Sequence, residues 1–341
     1  TTPSGWPRNP AMIPLNEAEA RIHQRVTRRL PAELAPLDGD APSGALGKRL
    51  ATSVASDVPW PTTDRSAMDG FALAVGDPGT TVDGPLPVVG ESLAGRPLGR
   101  RLEPGQAVRI TTGAVVPAGA NAVVMVEQTS GFHGADGQPA AEVSFQEPID
   151  PGQNIRPAGS ELAPGAEVMA PGRLLGAAEL GVCAVLGIDP VPTFQRPVVG
   201  ILSTGDEVVP VDRVPAEHQV RDSNSFALAA QVRSAGGVPV RLGIAPDEPQ
   251  ALRDTLRQAL ERCDVLLTIG GVSAGTHDLV PGELEALGVV KEFQGIALKP
   301  GKPTWFGVFG EGSEDERYVI GLPGNPASAF AVFELLARPA L

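Results

Sequence analysis

The 341 residues carry a formal charge of −13 with a pI near 4.8, a balance that repels nucleic-acid phosphates and anionic lipid and obliges any anionic ligand to find a local basic pocket. Aromatic residues make up 4% of the chain against 41 Gly and 35 Pro, so turns and linkers abound and a base-stacking platform is excluded. The length exceeds one comfortable core and predicts two or three domains.

The opening TTPSGWPRNP lacks the basic-then-apolar order of a secretory signal, and no uncharged apolar run reaches the ~18 residues of a membrane span, so a cytoplasmic protein is expected. Residues 16–30 place Ala18, Ile22 and Val26 on one face, predicting an amphipathic helix ended by Pro31. Residues 47–53 (GKRLATS) predict a short helical turn. Residues 57–150 break into β-like runs, LPVVGES, AVRITTGA, NAVVMVEQ and AEVSFQ, parted by Gly, Pro and Asn, which predicts an inserted all-β domain. A polar stretch, GQNIRPAGSELAPGA, leads to LLGAAELGVCAVLG, whose small residues suit a tightly packed helix. Its Cys183 and the distant Cys263 show no disulfide or zinc-ligand spacing and are expected to fill core positions.

From Arg196 onward, apolar strands alternate with amphipathic helices, among them EPQALRDTLRQALERC with Leu252, Leu256 and Leu260 in register and DVLLTIGG running straight into glycine. The fold class expected is therefore α/β and multidomain: a doubly wound, mostly parallel sheet with ligands at its strand carboxyl ends, the inserted β domain, and a helical and β linking region. The loops STGDE, APDEP and GGVSAGTHD bring Glu207, Asp247 and Asp278 toward those ends, the donor set of a Mg²⁺ site. Asp247 equally suits a helix cap and Asp206 a turn. Three glycine-rich turns, TIGGVSAGTHD, KPGKP and GLPGNPAS, read together as an oxyanion site. Gly270, Gly271, Gly275, Gly324 and Asn325 offer backbone donors and Ser273 a hydroxyl. Lys299 and Lys302 supply compact charge, while Pro323 and Pro326 shape the last turn.

In chain order, SAMDGFAL, RITTGAVVPAGANAVV, GQNIRPAGSEL, STGDEV, RDSNSFAL, TIGGVSAGTHD, ALKPGKP and GLPGNPAS closely resemble the molybdopterin molybdenumtransferase family, to which bacterial MoeA and the E domain of gephyrin belong. The resemblance implies an elongated homodimer whose cleft is shared between subunits. It divides the chain into a linking region at 1–56 and 151–190, an inserted β domain at 57–150 and a molybdopterin-binding α/β domain at 191–330. Residues 331–341 would begin a C-terminal barrel that is expected to be missing. The activity implied is insertion of molybdenum from molybdate into adenylylated molybdopterin, with Mg²⁺ as cofactor and AMP released. A molybdopterin adenylyltransferase is a possible partner.

The resemblance also assigns roles to Asp69 and Thr112 in the β insertion and to Arg156 and Glu161 in the linking loop. Read alone, Asp69 before Gly70 suits a turn, Thr112 a strand, and Arg156 with Glu161 a surface ion pair. Where many relatives carry a basic residue before KPGKP this chain has Gly295, which implies one oxyanion contact fewer. That departure keeps open a non-catalytic molybdopterin-binding or scaffold protein. A molybdopterin adenylyltransferase would leave the first ~190 residues without a purpose, a poor fit to ordinary domain sizes.

Overall fold

Between Asp264 and Gly270 the run VLLTI puts apolar side chains on both faces and interrupts them only with the β-branched Thr268, so Val265–Ile269 is expected to be a strand covered on both sides. The computed structural model, which describes residues 12–27, 30–38, 43–134, 137–272, 278–313 and 316–341, buries all five. The chain divides into two units. One comprises Thr1–Ala51, Leu174–Leu180 and Asp189–Leu341, and the other Thr52–Arg173 with Gly181–Ile188.

In the first unit, α1 (Leu15–Arg25) precedes the alternation β1 (Val198–Thr204), α2 (Asn224–Ser234), β2 (Val238–Ala245), α3 (Pro249–Leu260), β3 (Val265–Ile269), α4 (Val280–Ala286), β4 (Val290–Gln294), β5 (Trp305–Phe309), β6 (Arg317–Leu322) and α5 (Pro326–Val332). The six-stranded sheet has the order β2-β1-β3-β6-β5-β4. Its first four strands are parallel, β5 pairs antiparallel with β6, and β4 pairs antiparallel with β5, so β5 is the one reversed strand of this sheet. Alternate residues go to opposite faces. Val265, Leu267 and Ile269 pack with Ile22 of α1 and Leu228 of α2, while Leu266 packs with Leu252 and Leu256 of α3 and Leu284 of α4. This is the doubly wound α/β arrangement.

Two local readings differ from the chain's behaviour. Helix α1 ends at Arg25, well before Pro31, where the β-branched pair Val26 and Thr27 leaves helical geometry (Val26 ψ 80). Residues 47–53 form no helical turn. Gly47 sits at φ +72 after a tight turn, and Arg49 and Leu50 bridge to Leu174 and Thr193 because the side chain of Leu50 must be buried.

The second unit holds a five-stranded sheet in the order 122–125, 70–73, 107–110, 86–92, 142–143. Its second strand, Gly70–Leu73, flanked on both sides, is buried at every position. Gly70 is obligatory there, since a Cβ would lie 1.9 Å from the Val124 carbonyl oxygen on the neighbouring strand.

Candidate functional site

Register alone gathers the glycine-rich turns. Thr204 pairs with Ala245, Ser203 with Ile269, and Ile269 with Leu322, so β2, β1, β3 and β6 end at one edge. Trp305, which opens β5, lies opposite Gly321 near the end of β6. The KPGKP turn before β5 therefore belongs to the same edge. A larger cavity of about 600 Å³ lies at the opposite edge, beside Pro197, Asp264 and Tyr318, and none of the site residues expected from the sequence lines it.

At the carboxyl edge the backbone is tied loop to loop. The Gly270 N–H donates to the Leu322 carbonyl (3.0 Å), and the Thr204 hydroxyl donates to that of Ile269 (3.1 Å). Gly270 and Gly271 adopt φ +85 and +61, and a Cβ on Gly271 would fall 2.8 Å from Val280, so only glycine is accommodated. A Cβ built on Gly324 would lie 3.7 Å from the Gly270 Cα, which places the two turns in contact. The Asn224 amide donates to the Gly324 carbonyl (2.8 Å). Asn325 does something other than expose donors, because its side chain accepts from Ala327 and Ser328 N–H and caps α5, with Pro326 in the first turn. Pro323 is buried beneath this turn. Ser273 and Gly275 lie outside the described residues.

The acids group differently from expectation. Asp206 and Asp247 exchange backbone N–H donors, Asp206 N to Asp247 Oδ2 at 3.3 Å and Asp247 N to Asp206 Oδ1 at 3.2 Å, which ties the β1 loop to the β2 loop. Glu207 turns back onto its own loop, where its Oε2 would meet a Cβ on Gly205 at 2.3 Å. Asp278 precedes Leu279, the N-cap residue of α4. Among the described residues no three His, Cys, Asp or Glu come together as a metal-holding group, so Glu207, Asp247 and Asp278 form no joint cluster. The helix cap assigned as an alternative to Asp247 belongs to Glu248, which accepts from Gln250 and Ala251 N–H.

Lys299 and Lys302 are exposed on the KPGKP turn, and neither pairs with a carboxylate among the described residues. Beneath the edge, Asp222 is buried and accepts from the Ser203 hydroxyl (3.0 Å) and Ser225 N–H (3.1 Å), fixing the start of α2 against β1. Neither Asp222 nor Asn224 was singled out from the sequence. Their signal was the DSNS run opening a helix, a capping signature.

The second unit carries its own constellation. Asp69 Oδ1 accepts from Thr112 N–H (2.6 Å) and from the Thr112 hydroxyl (2.9 Å). These bonds, the backbone one first, hold the Asp69 carboxyl below its ordinary range. Arg156 and Glu161 pair at 3.3 Å with both side chains about half exposed. Thr112, Arg156 and Glu161 share a cavity of about 370 Å³ with Trp60, Arg65 and Ser66.

The chain is similar to known proteins along most of its length. Residues 13–187 match the family described as MoeA N-terminal region (domain I and II), and residues 200–341 match that described as probable molybdopterin binding domain. A molybdopterin molybdenumtransferase of Nostoc is 36% identical over 300 residues, covering 87% of this chain and 67% of the relative. Molybdopterin molybdenumtransferase 2 of Mycobacterium tuberculosis is 35% identical over 330 residues, covering 94% and 78%. A crystal structure of a molybdopterin biosynthesis protein from Pyrococcus horikoshii superimposes with a TM-score of 0.78 at 28% identity, covering 96% of this chain and 78% of that one.

Proposed function

The chain belongs to the molybdopterin molybdenumtransferase family, and from that membership we propose that it inserts molybdenum from molybdate into adenylylated molybdopterin with release of AMP. The observation that carries the reading is the single sheet edge where the TIGG, KPGKP and GLPGNPAS turns meet. Two exposed ammonium groups on an otherwise acidic protein attract a doubly charged oxyanion and the substrate's phosphates. Gly270 and Gly271 carry no side chain, so the ligand can approach the main chain closely.

In the β unit, Asp69 stays ionised at neutral pH and serves poorly as a general base. It orients Thr112 instead. The Thr112 hydroxyl spends its proton on Asp69 and presents its lone pairs to a donor on the substrate.

The acid pair suits Mg²⁺, which takes one or two carboxylates and fills its remaining positions with water and phosphate oxygens. Asp206 and Asp247 would hold it, both being exposed and each using one oxygen on the other's N–H. Held there, the ion would supply positive charge to offset that of the substrate's pyrophosphate oxygens. The reading further includes a homodimer and a cytoplasmic location, which sedimentation of the purified chain and cell fractionation check.

The deciding experiment is AMP release from adenylylated molybdopterin with Mg²⁺, with and without molybdate, by this chain. Molybdate-dependent release is expected, and Lys302→Gln should reduce it by roughly tenfold or more, the effect of one lost charge-assisted bond. Bound ligand without any release would reduce the protein to a molybdopterin binder.

A further inference from the structure

The antiparallel pairing of residues 65–66 with 155–156 sets Arg65 directly opposite Arg156. Directly opposed side chains share a face with Cβ atoms about 4.5–5.5 Å apart, and like charges so placed are destabilising. Both arginines line the same cavity of about 370 Å³. Internal compensation is thin. Arg65 donates through Nη1 to the Gly113 carbonyl at 3.1 Å and pairs with no carboxylate among the described residues. Among the described residues Arg156 pairs with Glu161 at 3.3 Å, an exposed contact of little worth. The nearby acids are engaged elsewhere, Asp69 with Thr112 and Asp64 with the Ala158 N–H.

Two cations with one exposed counter-charge leave surplus positive charge in this cavity, which favours an anion there. The same wall carries an aromatic face, since Trp60 is 37% exposed and lines the cavity with Pro61, while its backbone is held by hydrogen bonding with Leu162. Thr112 contributes its oriented hydroxyl beside the Arg65 fork.

We propose that Arg65 and Trp60 form, with Arg156 and Thr112, a recognition pocket for a planar heterocycle bearing a phosphate. The guanidinium pair clamps the phosphate, and the indole covers the ring. This deepens the proposed function, on which it rests. It makes the β unit a specificity element that reads one end of the substrate. That chemistry is shared by the pterin phosphate and adenylate ends of adenylylated molybdopterin.

The test is titration of the full chain with AMP and, separately, with 6-hydroxymethylpterin phosphate, followed by calorimetry and tryptophan emission. At least one probe is expected to bind with affinity that falls as salt rises. The tighter probe identifies the end that is read. Arg65→Gln and Trp60→Leu should each weaken that probe by roughly tenfold or more, with Arg65→Lys intermediate because it keeps charge without the fork. Each variant should raise the KM of the transfer reaction more than it lowers kcat, while native melting temperatures confirm that folding is intact. Absence of binding by both probes, or binding that the Arg65 and Trp60 variants leave unchanged, overturns the pocket. If turnover is lost in Lys302→Gln but keeps its KM in Arg65→Gln, the transferase reading stands and this pocket fails. If the probes bind through Arg65 while the chain never releases AMP, the pocket stands and the transferase reading fails.

Discussion

Gly295 stands at φ +85 with its N–H bonded to the Thr304 carbonyl (2.7 Å) and its carbonyl accepting from Ile13 (3.2 Å). A side chain there is strained by about 1–2 kcal/mol, and a Cβ would also press on Met12 at 3.3 Å. The glycine is thus what this backbone requires, whatever contact a basic residue supplies elsewhere in the family. Gly295→Arg is expected to lower the melting temperature without raising molybdate-dependent AMP release; a gain in turnover at unchanged stability would refute this account. Asp69 gives a residue-scale dependence on pH. Its carboxyl is depressed by the Thr112 N–H and then the Thr112 hydroxyl, so the contribution of these bonds is complete above the ordinary carboxylate range. That contribution disappears as pH falls through the lower folded value. An NMR titration should show the Thr112 amide shift moving with an apparent pKa below that of ordinary aspartate, and an undisplaced midpoint would contradict the bonds.

At the scale of elements, α3 shows local and tertiary causes acting together. Glu248 caps it, Pro249 opens it, and Leu252, Leu256 and Leu260 recur every fourth residue against the sheet. An ion pair between Arg253 and Glu283 (2.6 Å) joins α3 to α4. Glu248→Ala should cost about 0.5–2 kcal/mol through the lost cap and Leu256→Ala about 2–5 kcal/mol through the cavity, measured by urea unfolding. The reverse ranking would show that the cap, rather than packing, holds this helix. The KPGKP turn makes a different point: Lys299 and Lys302 reach the edge where β1, β2, β3 and β6 end because β5 runs antiparallel to β6.

Across the whole molecule, one cysteine lies in each unit, Cys183 in the second and Cys263 in the first. Both are buried, and burial pushes the Cys263 thiol up to about 11, so it stays protonated and unreactive near pH 8. Iodoacetamide at that pH should leave Cys263 unlabelled in the native protein and modify it once urea opens the α/β unit. Rapid native labelling would mean that this core is not closed. Charge also acts at this scale, since a protein at −13 concentrates oxyanions only where lysines and arginines are gathered locally.

The sequence alone determined the alternation of strands and helices after Arg196, the glycine-rich turns, and the family to which the chain belongs. Those features are written in periods of 2 and 3.6 and in turn residues, which are local and survive without knowledge of any partner. Boundaries set by competition were less legible, as α1 shows by stopping at Arg25 rather than at Pro31. Tertiary structure alone decided which side chains meet. It joined Asp206 to Asp247 instead of gathering Glu207, Asp247 and Asp278, gave Asn325 to a helix cap, and set Arg65 against Arg156. It also required glycine at position 70, where the Val124 carbonyl of another strand leaves no room for a Cβ. Each of these depends on strand order and register between residues far apart in the chain, which local patterning does not encode.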